Sequence, residues 1–329
     1  MSGSNPGLAL IGLLLTTQAG PIPVQDKPST ATVPEALRAF TATIEPSGIV
    51  WVPSLQRYLV VSDDVGSEEE HHRPFLLAMS QEGTFDETPV PLLGIEALND
   101  PESICPGPDG TFFLTTSHSP NRKGKTKRAR RMLLWLEPEG RAMRVKGRVD
   151  LTEARDEAGR PLLEVAGLEP EGRLDIEALT YREGALLIGL KSPLSAQGGA
   201  IILRLDAPTA ALRTGHIPPG TLTRQWEVPL GMASAEGTVG RGIADMVTLP
   251  DKSLVLVANS PKGMPTDGGG AMYWFKPGTS TPVLLHRFPG LKPEGVTLSA
   301  DGQSLMLVFD TDTRPPVWMR WPLPGRGPT

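Results

Sequence analysis

The chain has 329 residues, a formal net charge of −5 and a single cysteine, Cys105. One cysteine excludes an intrachain disulfide framework, and so mild an acidity singles out no partner. Glycine (36) and proline (34) fill more than a fifth of the chain while aromatics reach only 5%, and both sit between short apolar runs, the pattern of many short strands joined by turns.

In chain order, residues 1–19 read as a signal peptide. The apolar run 8–15 is followed by Thr17 and Ala19, small residues suited to a cleavage site, although no lysine or arginine precedes it. The run is too short to span a membrane. Residues 20–36 are rich in proline and read as a disordered lead-in. Residues 37–325 are expected to form one domain, secreted or periplasmic, monomeric and without a membrane span.

Five segments then repeat one pattern: a polar residue, a few apolar or small residues, a turn and a strongly apolar strand. They open at Ser47, Glu102, Glu177, Asp245 and Glu294. The turns Asp109-Gly110, Glu183-Gly184 and Asp301-Gly302 are hairpin signals. Third strands are expected at 75–79, 132–136, 200–205, 272–275 and 317–321, and fourth strands at 90–95, 143–149, 221–228 and 282–288. The fifth repeat lacks a fourth strand because the chain ends, and residues 39–44 can supply it from the N-terminal side. The predicted fold is therefore all-β: a β-propeller of five four-stranded blades closed by pairing of the N- and C-terminal strands. A six-bladed count competes if 151–173 hides strands. That stretch has no apolar alternation and reads as loop.

The turn between first and second strands is short in each repeat. The connection from second to third is long, at 63–73, 117–131, 191–199, 259–270 and 310–315. Those loops share a face with the starts of the inner strands, and long loops on a rigid scaffold are where function sits. On that face Ser47, Glu102, Glu177, Asp245 and Glu294 would converge on the axis. Four carboxylates at one height repel unless protonated or bridged by a cation. Calcium, with six to eight oxygen ligands, answers that need, and scarce nitrogen or sulfur donors argue against zinc or copper. Strand capping by hydrogen bonds to neighbouring backbone amides, and direct acid–base work, stay open as alternatives.

A second polar layer stands at the loop starts: Asp63, Asp64, His118, Lys191, Asn259, Asp310 and Asp312. His118 is a candidate acid–base group because its imidazole titrates near neutrality. Lys191 would either hold an anion or pair with a ring carboxylate. The basic run 122–131, beginning Arg122-Lys123, rises from the same face and would suit an anionic substrate. As a plain solvated loop it needs no partner, and no specific nucleic-acid role is expected. His71-His72 beside the acidic run 68–70 is a weak metal pair, since adjacent side chains in an extended loop point apart. Cys105, in an apolar stretch, is expected to be buried and inert. Phosphate-binding loop, serine-hydrolase elbow and HExxH motifs are absent.

The stretch Asp175-Ile176-Glu177-Ala178-Leu179, followed by 187–193 and 199–205, resembles a bacterial β-propeller family of unknown function. Pro293-Glu294-Gly295-Val296, with Asp310 closing its hairpin, resembles the phytase-like, esterase-like propellers. The ring positions are similar to those of calcium-activated nucleotidases, with Asp245 departing in residue type. These resemblances imply a propeller and hydrolase chemistry. The expected protein is a calcium-dependent phosphoester or ester hydrolase acting on a small anionic substrate. In that reading Asp63, His118 and Lys191 are catalytic and Asp64, Asn259, Asp310, Arg122 and Lys123 bind substrate. The rival is a non-enzymatic propeller holding a protein or carbohydrate ligand on the long-loop face. A glycosidase is a third reading, weakened by the few aromatics available for sugar stacking.

Overall fold

The computed structural model describes residues 25, 27–63, 74–121, 123–125, 127–168, 174–234, 237–261, 268–311 and 315–325. Strands dominate, in chain order. A two-residue strand β1 (Ser29–Thr30) comes first. It is followed by β2 (Pro46–Val52), β3 (Arg57–Ser62), β4 (Phe75–Met79) and β5 (Val90–Leu93). The next four are β6 (Pro101–Pro106), β7 (Phe112–Thr116), β8 (Leu133–Glu139) and β9 (Ala142–Val149). A third set is β10 (Asp175–Arg182), β11 (Ala185–Ser192), β12 (Ala200–Asp206) and β13 (Leu222–Val228). A small hairpin, β14 (Met232–Ser234) and β15 (Gly237–Val239), precedes β16 (Gly242–Thr248), β17 (Leu254–Asn259), β18 (Gly269–Phe275) and β19 (Val283–Pro289). The last three are β20 (Lys292–Leu298), β21 (Ser304–Asp310) and β22 (Val317–Pro322).

Within each set the strands pair antiparallel with their sequence neighbours. The sets β10–β13 and β16–β19 are separate four-stranded sheets, and β20–β22 gain β1 as their fourth strand. The sets β2–β5 and β6–β9 are joined into one eight-stranded sheet by a parallel pair between β5 and β9. The first strands touch in cyclic order: β2 with β6, β6 with β10, β10 with β16, β16 with β20, and β20 back to β2. That closure of radially arranged antiparallel sheets is a β-propeller.

The core explains why the strands are apolar on both faces. Along β3, Tyr58 and Val60 enter one hydrophobic cluster while Leu59 and Val61 enter another. Along β21, Leu305, Leu307 and Phe309 face the fourth set, and Met306 and Val308 face the first. Each cluster is built from two neighbouring sets. Alternation with period two therefore fills an inter-sheet space on either side. Cys105 belongs to one of these clusters and is 3% exposed. Burial pushes its thiol pKa upward.

The expected strand positions agree closely with those observed; β4 is Phe75–Met79 and β12 is Ala200–Asp206. Glu183 and Gly184 both have positive φ, 51° and 83°, as the two-residue turn between β10 and β11 requires. The closing strand differs from expectation. It is Ser29–Thr30, which pairs with Val317 and Trp318, not 39–44. Residues 35–39 form a 3-10 turn, and Leu37 and Ile44 pack into a core cluster. Their apolarity serves packing against the sheet face, and the pairing falls to polar residues that carry no apolar signal. The expected disordered lead-in is corrected by the same finding for its described part: Ala31 donates to the Pro316 carbonyl, and Thr32 bridges Thr84. Residues 1–24, including the expected signal peptide, lie outside the described residues. Between 151 and 168 the described chain holds one short helix, α1 (Leu162–Val165), and one isolated bridge, Arg155 to Pro161, in place of a further sheet.

No helix among the described residues is long and apolar enough to cross a membrane.

Candidate functional site

Every first strand carries a β-bulge at the same depth. Pairing skips one residue in β2 between Pro46 and Gly48, in β6 between Pro101 and Ser103, in β10 between Ile176 and Ala178, in β16 between Ile243 and Asp245, and in β20 between Pro293 and Gly295. The skipped residues are Ser47, Glu102, Glu177, Ala244 and Glu294. A bulge frees a residue from the ladder and re-aims its side chain, so this five-membered layer is the ring that the repeats predict. One member differs: Ala244, not Asp245, occupies the fourth position.

Asp245 belongs to the next layer, with Gly48, Ser103, Ala178 and Gly295. Its Oδ1 accepts the Ser103 hydroxyl at 2.9 Å and its Oδ2 accepts the Val296 amide at 2.8 Å. Ser103 Oγ in turn accepts the Leu179 amide at 3.0 Å. One carboxyl thus links strands β6, β10, β16 and β20 from a position 1% exposed. Burial raises its pKa well above the usual range despite those donors. The small neighbours are a packing requirement: a Cβ on Gly48 would lie 2.8 Å from the Glu102 carbonyl oxygen and 2.9 Å from Ser103 Cα. Asp245 is accordingly a strand clamp beneath the ring.

The ring itself is dominated by carboxyls. Glu102 is 8% exposed, and its carboxyl has no hydrogen bond or ion pair among the described residues. Burial raises its pKa, and Asp100, Glu177, Asp63 and Asp175 push it further the same way. Oxygens of Glu102, Asp175 and Glu177 all lie within 4.8 Å of one another. Burial also raises Asp175, to about 6, with Lys191 opposing, and raises Glu177 well above the carboxylate range despite Lys191. Three oxygen donors so close, one of them without a partner, form a set suited to a hard cation such as calcium, magnesium or manganese.

Lys191 enters the ring from the end of β11, where it pairs with Glu177 and lies 3.7 Å from Glu294. Burial alone would lower its pKa, but Glu177, Glu294 and Asp175 outweigh that and raise it. Of its two expected roles, the ion pair is the one present. Glu294 is raised by burial, against Lys191. Asn259, at the end of β17, donates to the Pro293 carbonyl at 2.9 Å and so braces β20 beside Glu294. Asp63 follows β3. Its Oδ1 is enclosed without a hydrogen-bond partner, and burial, then Glu45, Asp100, Glu294 and Asp310, raise its pKa. Asp310 ends β21, 3.5 Å from the Lys292 ammonium. Ser47 is buried, donating to the Glu45 carbonyl at 3.3 Å.

His118 is placed apart from these groups. It is 3% exposed, its Nδ1 lies 2.9 Å from the Thr116 carbonyl oxygen and its Nε2 has no partner. The charged groups acting on it are Asp150 and Arg131, and burial lowers its pKa to about 4. Lys123 lies in the exposed turn, its amide bonded to Asn121 Oδ1. Asp64, Arg122, Asp312, His71, His72 and the acidic run 68–70 lie outside the described residues.

Sequence reasoning missed Asp100 and Asp175 as site residues, and had Arg130 only as part of the basic run 122–131. Arg130 pairs with Asp100 and bonds the Ser119 carbonyl at 3.0 Å. The missed acids carry no strand-periodic signal, because Asp100 precedes β6 at φ 58° and pairing shifts between Asp175 and Glu177. The shallow cleft of about 210 Å³ lined by Ser54, Arg57, Asp86 and Arg141 lies elsewhere, at the junction of the first two sheets.

No protein-family model and no curated protein matches the chain. Among solved structures, a candidate glycoside hydrolase from Parabacteroides distasonis matches at 12% identity and TM-score 0.49, covering 93% of this chain and 95% of that one. The Dos1 propeller matches at 10% identity and TM-score 0.34, over 80% of this chain. The extracellular domain of a candidate one-component system from B. thetaiotaomicron matches at 11% and 0.37, over 82%. This chain spans about half of the Dos1 chain (52%) and about a quarter of the latter (27%).

Proposed function

We propose that the chain is a five-bladed propeller whose axial carboxyls bind a divalent cation of the calcium class, and that the long-loop face uses it to hydrolyse a small anionic ester. Support for the blade count comes from the cyclic contacts of five first strands and the five two-set core clusters. The observation that carries the site is Glu102: a residue 8% exposed whose carboxyl has no described partner, with Asp175 and Glu177 oxygens close by. Leaving such a group ionised and uncompensated is costly. A bound cation supplies charge that polarises an ester oxygen and acidifies a water. Around it, Asp63 would accept a proton, a role supported by its enclosed Oδ1 having no hydrogen-bond partner. Asp100 pairs with Arg130, and Glu177 and Glu294 hold Lys191, so both cations are fixed beside the axial carboxyls.

A second reading, ligand binding without catalysis, is favoured by the position of His118 against Asp150 and Arg131, away from the ring. The two are separated by measuring thermal unfolding of the full chain with EDTA and with millimolar calcium, then release of product from phosphomonoesters and carboxylic esters. A cation that binds only the folded state at a hundred times its Kd adds about 2.7 kcal/mol. The proposal expects that gain to vanish in Glu102→Gln. A calcium-insensitive midpoint would remove the cation, and calcium binding without turnover would leave the binding reading.

A further inference from the structure

Lys191 owes its place to a local irregularity of its own. In all five sets the second strand pairs without a skip opposite the first-strand bulge, and in four of them no other shift occurs between first and second strands. The third set has an additional one, a pair further out. On β11, pairing passes from Ser192 opposite Asp175 to Leu190 opposite Ile176, leaving Lys191 out of the ladder. The neighbouring sheet makes room for it: a Cβ on Gly242 would lie 2.1 Å from the Lys191 carbonyl oxygen. The ammonium, on a residue 9% exposed, pairs with Glu177 and stands 3.7 Å from Glu294. The ring is therefore divided. Glu177 and Glu294 have a cation between them, while Glu102 on the other side has none among the described residues.

We propose that Lys191 is a tethered counter-cation filling the Glu177–Glu294 side of the ring, so that the site accepts one divalent cation, at Glu102 and Asp175. Removing the lysine charge opens a second cation position between Glu177 and Glu294. This deepens, and rests on, the cation reading given above. Ammonium and calcium are alternative answers to the same repulsion between buried carboxylates.

The experiment is calcium stoichiometry by equilibrium dialysis on the full chain, comparing wild type with Lys191→Met and with Lys191→Met/Glu294→Gln. The expected result is one ion in wild type, two in Lys191→Met, and one again in the double variant. Equal stoichiometry in wild type and Lys191→Met overturns the tether while leaving the first cation in place. No ion in wild type removes the reading above, and a single ion gained in Lys191→Met would then still support the tether. Should Lys191→Met fold poorly, its melting is followed with calcium and with sodium chloride of equal ionic strength. Recovery with calcium alone supports the proposal, and recovery with neither or with both overturns it.

Discussion

Asp245 and His118 are both buried polar residues, yet each has a consequence that can be measured separately from the ring. Replacing Asp245 by alanine strands the Val296 amide and the Ser103 hydroxyl inside the axis. Unsatisfied buried donors cost about 1–3 kcal/mol each, so Asp245→Ala should lose roughly 3 kcal/mol in urea unfolding with EDTA present. Asp245→Asn keeps an acceptor for Val296 and should lose less than half as much. A calcium affinity that collapses in Asp245→Asn at unchanged stability would return this residue to the ring. His118 has its folded pKa lowered to about 4 by burial, against 6.5 when free. The folded state thus favours the neutral ring. The stability this contributes is whole above pH 6.5 and lost as pH falls through 4, about 3 kcal/mol in all. His118→Asn should flatten the dependence of unfolding free energy on pH between 6.5 and 4 relative to wild type. An unchanged slope would place the His118 imidazole in contact with water.

At the scale of the element, the bulges decide where side chains point. The sequence pattern singles out Ser47, Glu102, Glu177 and Glu294, which are the bulged residues of their strands, because polar residues opening an apolar strand stand out. It could not show that one skipped pair at each strand start turns those residues together. That is why Asp245 looked equivalent to the others although Ala244 occupies the fourth bulge. The bulges also need close approach of the first strands. Gly48→Ala would push a methyl against the Glu102 carbonyl and Ser103 Cα, both backbone and unable to rotate away. Overpacking of this kind costs about 1–3 kcal/mol. If the ring binds calcium as proposed, the same substitution should weaken that binding, measured by titration calorimetry, because it displaces the strand carrying Glu102. Stability lost with affinity intact would separate the packing layer from the ring.

For the whole molecule, closure depends on a strand of two residues. Deleting residues 1–32 removes β1 from Val317 and Trp318 and removes the Gln25 side chain, which accepts the Arg320 amide at 3.0 Å. The edge of β22 would then be open to pairing with another chain. The truncated protein should melt several degrees lower by calorimetry and self-associate in size-exclusion chromatography at high concentration. A monomer with unchanged melting would mean that β22 closes the sheet without help.

Sequence alone located the strands of the five repeats, because short apolar runs bounded by turn residues are local signals that survive in any blade of a propeller. It also determined that carboxyls gather where inner strands begin. Three things were decided only by tertiary structure. The closing strand is Ser29–Thr30, since a polar dipeptide pairs through its backbone and leaves no side-chain pattern. His118 faces Asp150 and Arg131, since the direction of a loop-start side chain depends on its own backbone, at φ 59°. Lys191 stands between Glu177 and Glu294, since an ion pair across sheets depends on which bulges come face to face around the axis.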